Sequence, residues 1–114
     1  MDLDQIRNLV RDGKLYYYTH ALVEARKDGV EPEDIIAVIL TGEIIEEYPD
    51  RKRLLIYGPM ANALPLHVVC DYSAEGVIII PTVYIPSSHD WNQFRTRKPR
   101  TFKEDENEYT VQMP

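Results

Sequence analysis

Residues 64–86, LPLHVVCDYSAEGVIIIPTVYIP, decide the fold of this chain. Two runs of β-branched and apolar residues flank a short segment, Ser73-Ala74-Glu75-Gly76. Gly76 supplies the backbone freedom that a four-residue hairpin loop often requires. The stretch therefore predicts two antiparallel β-strands joined by a tight turn.

The two faces of this hairpin differ in character. If Tyr72 opposes Val77, the register follows by counting, because opposed residues share a face. One face then belongs to the core: Leu64, Leu66, Val68, Cys70, Tyr72, Val77, Ile79, Pro81, Val83 and Ile85. The other face is mixed and carries the chemically useful groups: His67, Val69, Asp71, Ile78, Ile80, Thr82 and Tyr84. In this register Thr82 opposes His67, and Tyr84 lies diagonally across from it.

Pro81 interrupts the second strand of the hairpin, because it has no N–H to donate to the ladder. The strand therefore needs either an edge position or a β-bulge at this point. A bulge would also turn Tyr84 to the opposite face.

Three helices are predicted before the hairpin. They run from Asp2 to about Arg11, from His20 to Lys27 with Thr19 as N-cap, and from Pro32 until Gly42 ends the third. Residues 16–18, three consecutive tyrosines, are predicted to be an aromatic link over the core edge.

After the third helix the hydrophobic period changes to two, which predicts strands over residues 44–48 and 53–57. The expected fold is a single α+β domain over residues 1–98. It has about three N-terminal helices packed on one face of a four-stranded antiparallel meander sheet. A basic run and then an acidic block follow, so residues 99–114 are predicted to be a charged, mobile tail.

The composition is ordinary for a globular protein, with 44% hydrophobic and 28% charged residues, but the formal net charge is −6. An acidic domain does not attract polyanions through its overall field, which disfavours generic nucleic-acid binding. The one cysteine, Cys70, falls on the predicted core face, so we expect a buried thiol in a reducing compartment. We expect a cytoplasmic protein with no signal peptide and no membrane-spanning segment.

Five motifs occur in order: Tyr18-Thr19-His20-x5-Arg26, Val30-Glu31-Pro32-Glu33-Asp34-Ile35, Gly42-Glu43-Ile44-Ile45-Glu46-Glu47-Tyr48, Pro65-Leu66-His67-Val68-Val69 and Thr82-Val83-Tyr84. In this combination the chain resembles the domain-of-unknown-function-4258 family over roughly residues 16–86. That family is similar to the compact RelE/BrnT-like toxin ribonucleases, which also place helices before an antiparallel sheet. The resemblance implies RNA as substrate and a cognate antitoxin-like protein as partner.

Metal-independent RNA cleavage needs a general base for the ribose 2′-hydroxyl, a general acid for the leaving oxygen and a cation for the charge on phosphorus. Histidine suits the first two roles, which makes His67 and His20 catalytic candidates. Arg26 is a candidate for phosphate, which a guanidinium binds in a fork, and Tyr84 lies near His67 in the predicted ladder. No cofactor is expected, and His20, His67 and His89 show no metal-ligand spacing.

Each candidate also has a structural interpretation. His20 fits a helix end, and Arg26 fits a salt bridge with Glu24 or Asp28. Three functional classes therefore stay open: a toxin-like endoribonuclease, a non-catalytic protein-interaction module that uses the mixed sheet face, and a small-molecule or metal-binding domain. The order of the motifs favours the first class, and the net charge favours the second.

Overall fold

The computed structural model of the protein describes residues 1–99. Over these residues the fold is α+β, with three α-helices and a five-stranded mixed sheet. The helices are α1 (Leu3–Arg11), α2 (Thr19–Lys27) and α3 (Pro32–Thr41). The strands are β1 (Leu15–Tyr17), β2 (Glu43–Tyr48), β3 (Arg53–Pro59), β4 (Pro65–Asp71), β5 (Ile78–Tyr84), β6 (Trp91–Asn92) and β7 (Thr96–Arg97). Apart from Pro99, the predicted tail lies outside the described residues.

The sheet has the strand order β1-β5-β4-β3-β2, with β1 parallel to β5 and the other pairs antiparallel. The prediction of a four-stranded antiparallel meander is therefore wrong. The segment expected to be an aromatic link contributes to a fifth strand, in which Leu15 pairs with Ile78 and Tyr17 pairs with Ile80. A three-residue strand shows no periodicity of its own, and its partner lies far along the chain.

The starts of α2 and α3 are capped differently. Glu31 and Asp34 form a capping box at the start of α3, in which each side chain accepts from the other residue's backbone N–H. Thr19, predicted to be the N-cap of α2, is instead its first residue, and Tyr18 precedes it without a side-chain cap bond. Among the described residues, no helix is long and apolar enough to cross a lipid bilayer.

Arg7 of α1 holds the junction between α3 and β2. Its guanidinium donates to the backbone oxygens of Ile39, at 2.9 Å, and Gly42, at 2.8 Å. A Cβ on Gly42 would lie 2.6 Å from the backbone oxygen of Val38 and would also collide with that of Tyr57. The chain therefore requires glycine where it leaves α3 and enters the sheet.

The hydrophobic core joins the three helices to alternate residues of β3, β4 and β5. Its buried members are Ile6, Val10, Ala25, Val30, Ile35, Val38, Ile39, Leu54, Ile56, Met60, Leu66, Val68, Cys70, Ile78, Ile80 and Val83. The predicted burial of Cys70 is confirmed, and burial raises the pKa of its thiol to about 12.

The β4–β5 hairpin contains a β-bulge at Pro81, which confirms one of the two expected solutions. The register shifts between Val69 and Asp71, since Val69 pairs with Thr82 while Asp71 pairs with Ile79. Counting residues from the turn therefore assigns the first half of β5 to the wrong face of the sheet. Ile78 and Ile80, predicted on the mixed face, lie in the core instead.

A second irregularity lies in β2, where the register shifts between Ile44 and Glu46. Ile44 opposes Ile56 and packs against the core, whereas Glu46 opposes Leu55. The shift moves the acidic side chain of Glu46 to the face of the sheet that turns away from the core.

We call residues 91–97 the strap. They form a small hairpin of β6 and β7. Gln93 and Phe94 turn its tip with left-handed backbone angles, φ 51° and φ 62°. Trp91 is buried, and its ring lies against His67 of β4. The strap therefore covers part of the sheet surface that the helices leave open.

Candidate functional site

The face of the sheet that turns away from the core, here called the second face, carries three rows of side chains. Residues opposed on neighbouring strands share a face, so each row crosses several strands. The first row is Tyr57, His67 and Tyr84; the second is Glu46, Leu55, Val69 and Thr82; the third is Tyr48, Arg53 and Asp71.

His67 is fully buried at the centre of the first row. Its ring meets three aromatic rings edge-on, with centroid distances of 4.4 Å to Trp91, 5.2 Å to Tyr84 and 5.8 Å to Tyr57. Both ring nitrogens are within hydrogen-bonding distance of a partner: Nδ1 lies 3.2 Å from the Tyr84 hydroxyl, and Nε2 lies 2.6 Å from the Phe94 backbone oxygen. His67 therefore links the sheet to the strap.

The hydrogen bonds of His67 define its tautomer. A backbone oxygen can only accept, so Nε2 carries the proton and donates it to Phe94. Nδ1 is then an acceptor, and the Tyr84 hydroxyl donates to it. Burial lowers the pKa of His67, and the Phe94 bond and the charge of Glu46 offset only part of that effect. His67 is therefore neutral at physiological pH.

Tyr84 presents its hydroxyl between His67 and the open side of the sheet. Burial raises the pKa of this phenol, and the nearby Arg97 guanidinium opposes the rise. The hydroxyl stays protonated at neutral pH, and its oxygen retains lone pairs that can accept a further proton donor.

Arg97 fastens the strap to β2. Its guanidinium lies 3.1 Å from a carboxylate oxygen of Glu46 and 4.5 Å from the ring centroid of Trp91. The Tyr48 hydroxyl donates to the same Glu46 carboxylate. Burial raises the pKa of Glu46, but the bonds from Tyr48 and Arg97 outweigh burial and the net shift is downward. Glu46 is consequently ionised at neutral pH and holds Arg97 in place.

Arg53 is held by the buried carboxylate of Asp71. Its Nε donates to Asp71 at 2.7 Å, and the other Asp71 oxygen accepts from the Ser73 backbone N–H and hydroxyl at 2.8 and 2.6 Å. Burial raises the pKa of Asp71, but the Ser73 hydrogen bonds and the Arg53 guanidinium lower it below its ordinary value. Arg53 therefore has a fixed side-chain position on β3.

These groups surround a cavity of about 510 Å³ between the second face and residues 90–98, here called the basic cavity. Its wall is made by Tyr48, Arg51, Arg53, Leu55, Val69, Thr82, Tyr84, Asp90, Trp91, Arg97 and Lys98. Four of these side chains are cationic, and two are tyrosines whose hydroxyls bond to Glu46 and His67. Guanidinium, ammonium and phenol groups in one recess are suited to a phosphate and a nearby hydroxyl.

The structure brings together two of the four predicted site residues. His67 and Tyr84 are directly opposed and hydrogen-bonded, whereas the expected register placed Thr82, two residues earlier, opposite His67. The expectation that a bulge would turn Tyr84 to the opposite face is wrong. His20 and Arg26 lie exposed on α2, and Arg26 is 3.7 Å from Glu31. Within residues 1–99, no hydrogen bond or ion pair joins either of them to His67 or Tyr84.

Sequence reasoning did not find Tyr48, Arg53 and Arg97. The first two lie at alternate positions of their strands and oppose each other, so the period-two pattern could have placed them on one face. Arg97 lies just before the predicted tail, and no local pattern signals its contact with Glu46 on β2. Among the described residues, no group of three or more His, Cys, Asp or Glu side chains is placed to hold a metal ion.

The fold and the site define a small α+β domain with a basic, tyrosine-lined cavity. The family model described as Domain of unknown function (DUF4258) matches residues 17–85. Since this match spans more than half of the chain, the protein belongs to that family. The matched range includes Tyr48, Arg53 and Tyr84, whereas Arg97 and Lys98 lie beyond it. No curated protein matches the chain.

Proposed function

We propose that the basic cavity binds single-stranded RNA and cleaves it without a metal ion, by attack of a ribose 2′-hydroxyl on the adjacent phosphate. One observation carries the proposal. In a chain with a net charge of −6, four cationic side chains line one recess together with two hydrogen-bonded tyrosines. The acidic composition disfavours nucleic-acid binding over the surface as a whole. That argument does not apply to this recess, which is lined by cations.

The arginines supply charge stabilisation. Phosphoryl transfer concentrates negative charge on the phosphate oxygens, and fixed cations lower the barrier because they need no rearrangement during the reaction. Arg53 and Arg97 meet this requirement, since Asp71 and Glu46 hold their guanidinium groups in place. Both arginines remain part-exposed, so each can present N–H groups to a bound phosphate.

Tyr84 and His67 supply the proton acceptor. The Tyr84 oxygen takes the proton of the 2′-hydroxyl while its own proton passes to Nδ1 of His67, which is an acceptor in the observed tautomer. His67 does not line the cavity, so it acts through Tyr84 as a positioning and proton-accepting residue. The leaving 5′ oxygen takes a proton from Tyr48 or Lys98, which lie on the same wall.

The test is incubation of purified protein with single-stranded RNA in chelator. We expect products ending in a 2′,3′-cyclic phosphate, and no cleavage where a 2′-deoxynucleotide replaces the ribonucleotide at the cut. Tyr84→Phe should lower the rate about a hundredfold, the lower end of what a positioned proton-transfer group contributes. Arg53→Ala should lower it by at least about tenfold, or roughly 1.4 kcal/mol of transition-state stabilisation.

Arg26→Ala and His20→Ala are the matched controls. Neither side chain lines the cavity, so both variants should cut within about twofold of the parent protein. Participation of His20 and Arg26 in catalysis, as expected from their chemistry in the sequence, predicts losses above about tenfold instead. Cleavage that Tyr84→Phe leaves unchanged, or no cleavage under any condition, would overturn the proposal.

The partner and the location belong to the same proposal. A toxin-like ribonuclease would act in the cytoplasm and would be neutralised by a cognate antitoxin-like protein. Expression of the parent chain should then arrest growth, and expression of Tyr84→Phe should not. The alternative, a non-catalytic interaction module using the second face, finds less support because the strap covers His67 and its neighbours on that face.

A further inference from the structure

The basic cavity carries a small excess of positive charge. Four cations line it, Arg51, Arg53, Arg97 and Lys98. Arg53 and Arg97 are in ion pairs with Asp71 and Glu46. The other two cations give the cavity a local positive excess, in a chain whose net charge is −6. Two such cations match one phosphate group and not a row of them.

The two cations that provide this excess are Arg51 and Lys98. Among residues 1–99 neither forms an ion pair, whereas Arg53 and Arg97 each have a carboxylate partner. A compact anion can therefore bind to Arg51 and Lys98 without breaking an existing pair. A polyanion extended beyond the cavity would meet a surface whose remaining charge is negative.

Arg97 offers a surface for a planar ring. One side of its guanidinium covers Trp91, with 4.5 Å between the guanidinium carbon and the ring centroid, and its side chain is 51% exposed. Unpaired bases stack on arginine guanidinium planes as well as on aromatic rings. A base on the free side of Arg97 would complete a stack of base, guanidinium and indole.

The floor beside Arg97 is partly apolar. Val69 and Thr82 are paired across β4 and β5, with Val69 half-buried and Thr82 exposed towards the cavity. The cavity volume of about 510 Å³ falls within the range of roughly 300–1,000 Å³ typical of small-ligand sites. Such a site encloses one ring system and one anionic group.

We infer that the basic cavity takes one nucleotide unit with one phosphate. The base stacks on the guanidinium plane of Arg97, and the phosphate is bound by Arg51, Arg53, Lys98 and an exposed N–H group of Arg97. The inference rests on the proposed function and names its substrate as an unpaired nucleotide, because the base must leave any duplex to reach the guanidinium. The unit is either a free nucleotide or one residue of a single strand. A free nucleotide and a nucleotide within a strand present the same base and phosphate, and the test below distinguishes them.

The test measures binding of 2′-O-methyl oligonucleotides, which lack the attacking hydroxyl, at lengths from one to about twelve residues. Affinity should reach a plateau by about two residues, and the plot of log K against log salt should have a slope near −0.7 to −1.4, since each neutralised phosphate of a single strand contributes about −0.7. A free nucleotide that binds as tightly as the dinucleotide identifies a free nucleotide as the ligand. A dinucleotide that binds at least about tenfold tighter identifies a strand.

Variants test the two ends of the site. Arg51→Ala and Lys98→Ala should each weaken binding and flatten the salt slope, because each removes a charge that binds phosphate. Arg97→Lys should weaken binding about tenfold with little change in slope, because lysine keeps the charge and loses the stacking plane. Arg11→Ala, an exposed arginine of α1, is the control and should change nothing.

Affinity that continues to rise up to twelve residues, or a salt slope steeper than about −3, would show an extended groove and overturn the inference. Absence of binding at every length would overturn it as well. Cleavage of unmodified RNA is scored separately: one-unit binding without cleavage would contradict only the catalytic proposal, and cleavage with length-dependent binding would contradict only this inference.

Discussion

Nδ1 of His67 lies 3.2 Å from the hydroxyl of Tyr84, and the two residues face each other directly across β4 and β5. On its other side the same imidazole donates to the Phe94 backbone oxygen at 2.6 Å. A protonated ring would donate from both nitrogens, and the Tyr84 hydroxyl would then accept instead of donate. Because the ring is fully buried, folding nevertheless favours the neutral form, and burial lowers the pKa of His67.

Stability should depend on pH through His67. Its folded-state pKa lies below the ordinary value of 6.5, so the unfolded chain binds more protons near that pH and stability rises with pH there. We expect the free energy of unfolding to fall as pH drops from about 7.5 through 6.5 and onward to the folded-state pKa. Urea unfolding across this range measures it. His67→Gln should flatten the curve and His89→Gln, at an exposed histidine, should not; equal slopes in the parent and His67→Gln would contradict the assignment.

Removal of the Tyr84 hydroxyl should destabilise the protein. Tyr84→Phe leaves Nδ1 of His67 without a donor in a buried site, which costs about 1–3 kcal/mol. Tyr16→Phe, at a tyrosine that is 55% exposed, should stay within about 0.5 kcal/mol of the parent. Denaturant unfolding of both variants gives the comparison, and losses of equal size would show that the bond to His67 contributes nothing.

The Asp71–Arg53 pair should stabilise the fold over most of the accessible pH range. Asp71→Asn removes the charge from a buried carboxylate with three hydrogen-bonded donors, and we expect a loss of about 2 kcal/mol at neutral pH. Because the folded-state pKa of Asp71 is lowered, its contribution is complete above the ordinary carboxyl pKa and is lost as pH falls through the folded-state value. The parent and Asp71→Asn should therefore converge in stability only in strong acid, whereas Asp50→Asn, at an exposed carboxylate, should match the parent throughout.

Gly42→Ala should be destabilising through collision alone. A methyl group at this position meets the backbone oxygens of Val38 and Tyr57, which cannot move without disturbing α3 or β3. Overpacking of this kind costs about 1–3 kcal/mol or more. Glycine can be required either because a side chain would collide or because the backbone is left-handed. Gly76→Ala tests the second effect alone, because Gly76 has a left-handed φ of 76° with no atom within 4 Å of the added methyl. Thermal unfolding should rank Gly42→Ala below Gly76→Ala, and the reverse order would be evidence against the collision.

Cys70 should react with thiol reagents only through unfolding. The thiol is fully buried, and burial raises its pKa to about 12, so little thiolate is present at neutral pH. Labelling should be slow in native buffer and should accelerate in Gly42→Ala, by about tenfold for each 1.4 kcal/mol of lost stability. Rapid labelling of the native parent chain would be inconsistent with the packing of β4.

The sequence predicted the elements that carry their own periodicity. The three helices, the hairpin around Gly76 and the inward face of β4 follow from local patterns and are confirmed. Two features could not be predicted in this way. β1 is a strand only because Ile78 and its neighbours pair with it, and the position of the bulge in β5 could not be counted from the turn. Non-local hydrogen bonding decides both.

In the candidate site, too, local patterns reveal some residues and non-local contacts decide the others. His67 and Tyr84 are predictable because both lie in the hairpin, whose strands follow from the local sequence pattern. Arg97 was not, because its position depends on contacts with Trp91 and Glu46 that join separate parts of the chain. The strap has no periodicity of its own. Its tip is tied to the sheet by the Phe94 backbone oxygen, which accepts from His67, and by Arg95, which lies 3.3 Å from a carboxylate oxygen of Glu43.

The bulge in β2 has a consequence for the behaviour of the protein at high concentration. β2 is an outer strand of the sheet, and an outer strand offers unpaired backbone groups to any other chain. The register shift between Ile44 and Glu46 breaks the regular spacing of those groups. A second copy of the chain approaching edge to edge would meet a mismatched ladder. We therefore expect the irregularity that turns Glu46 towards Arg97 to disfavour edge-to-edge association as well.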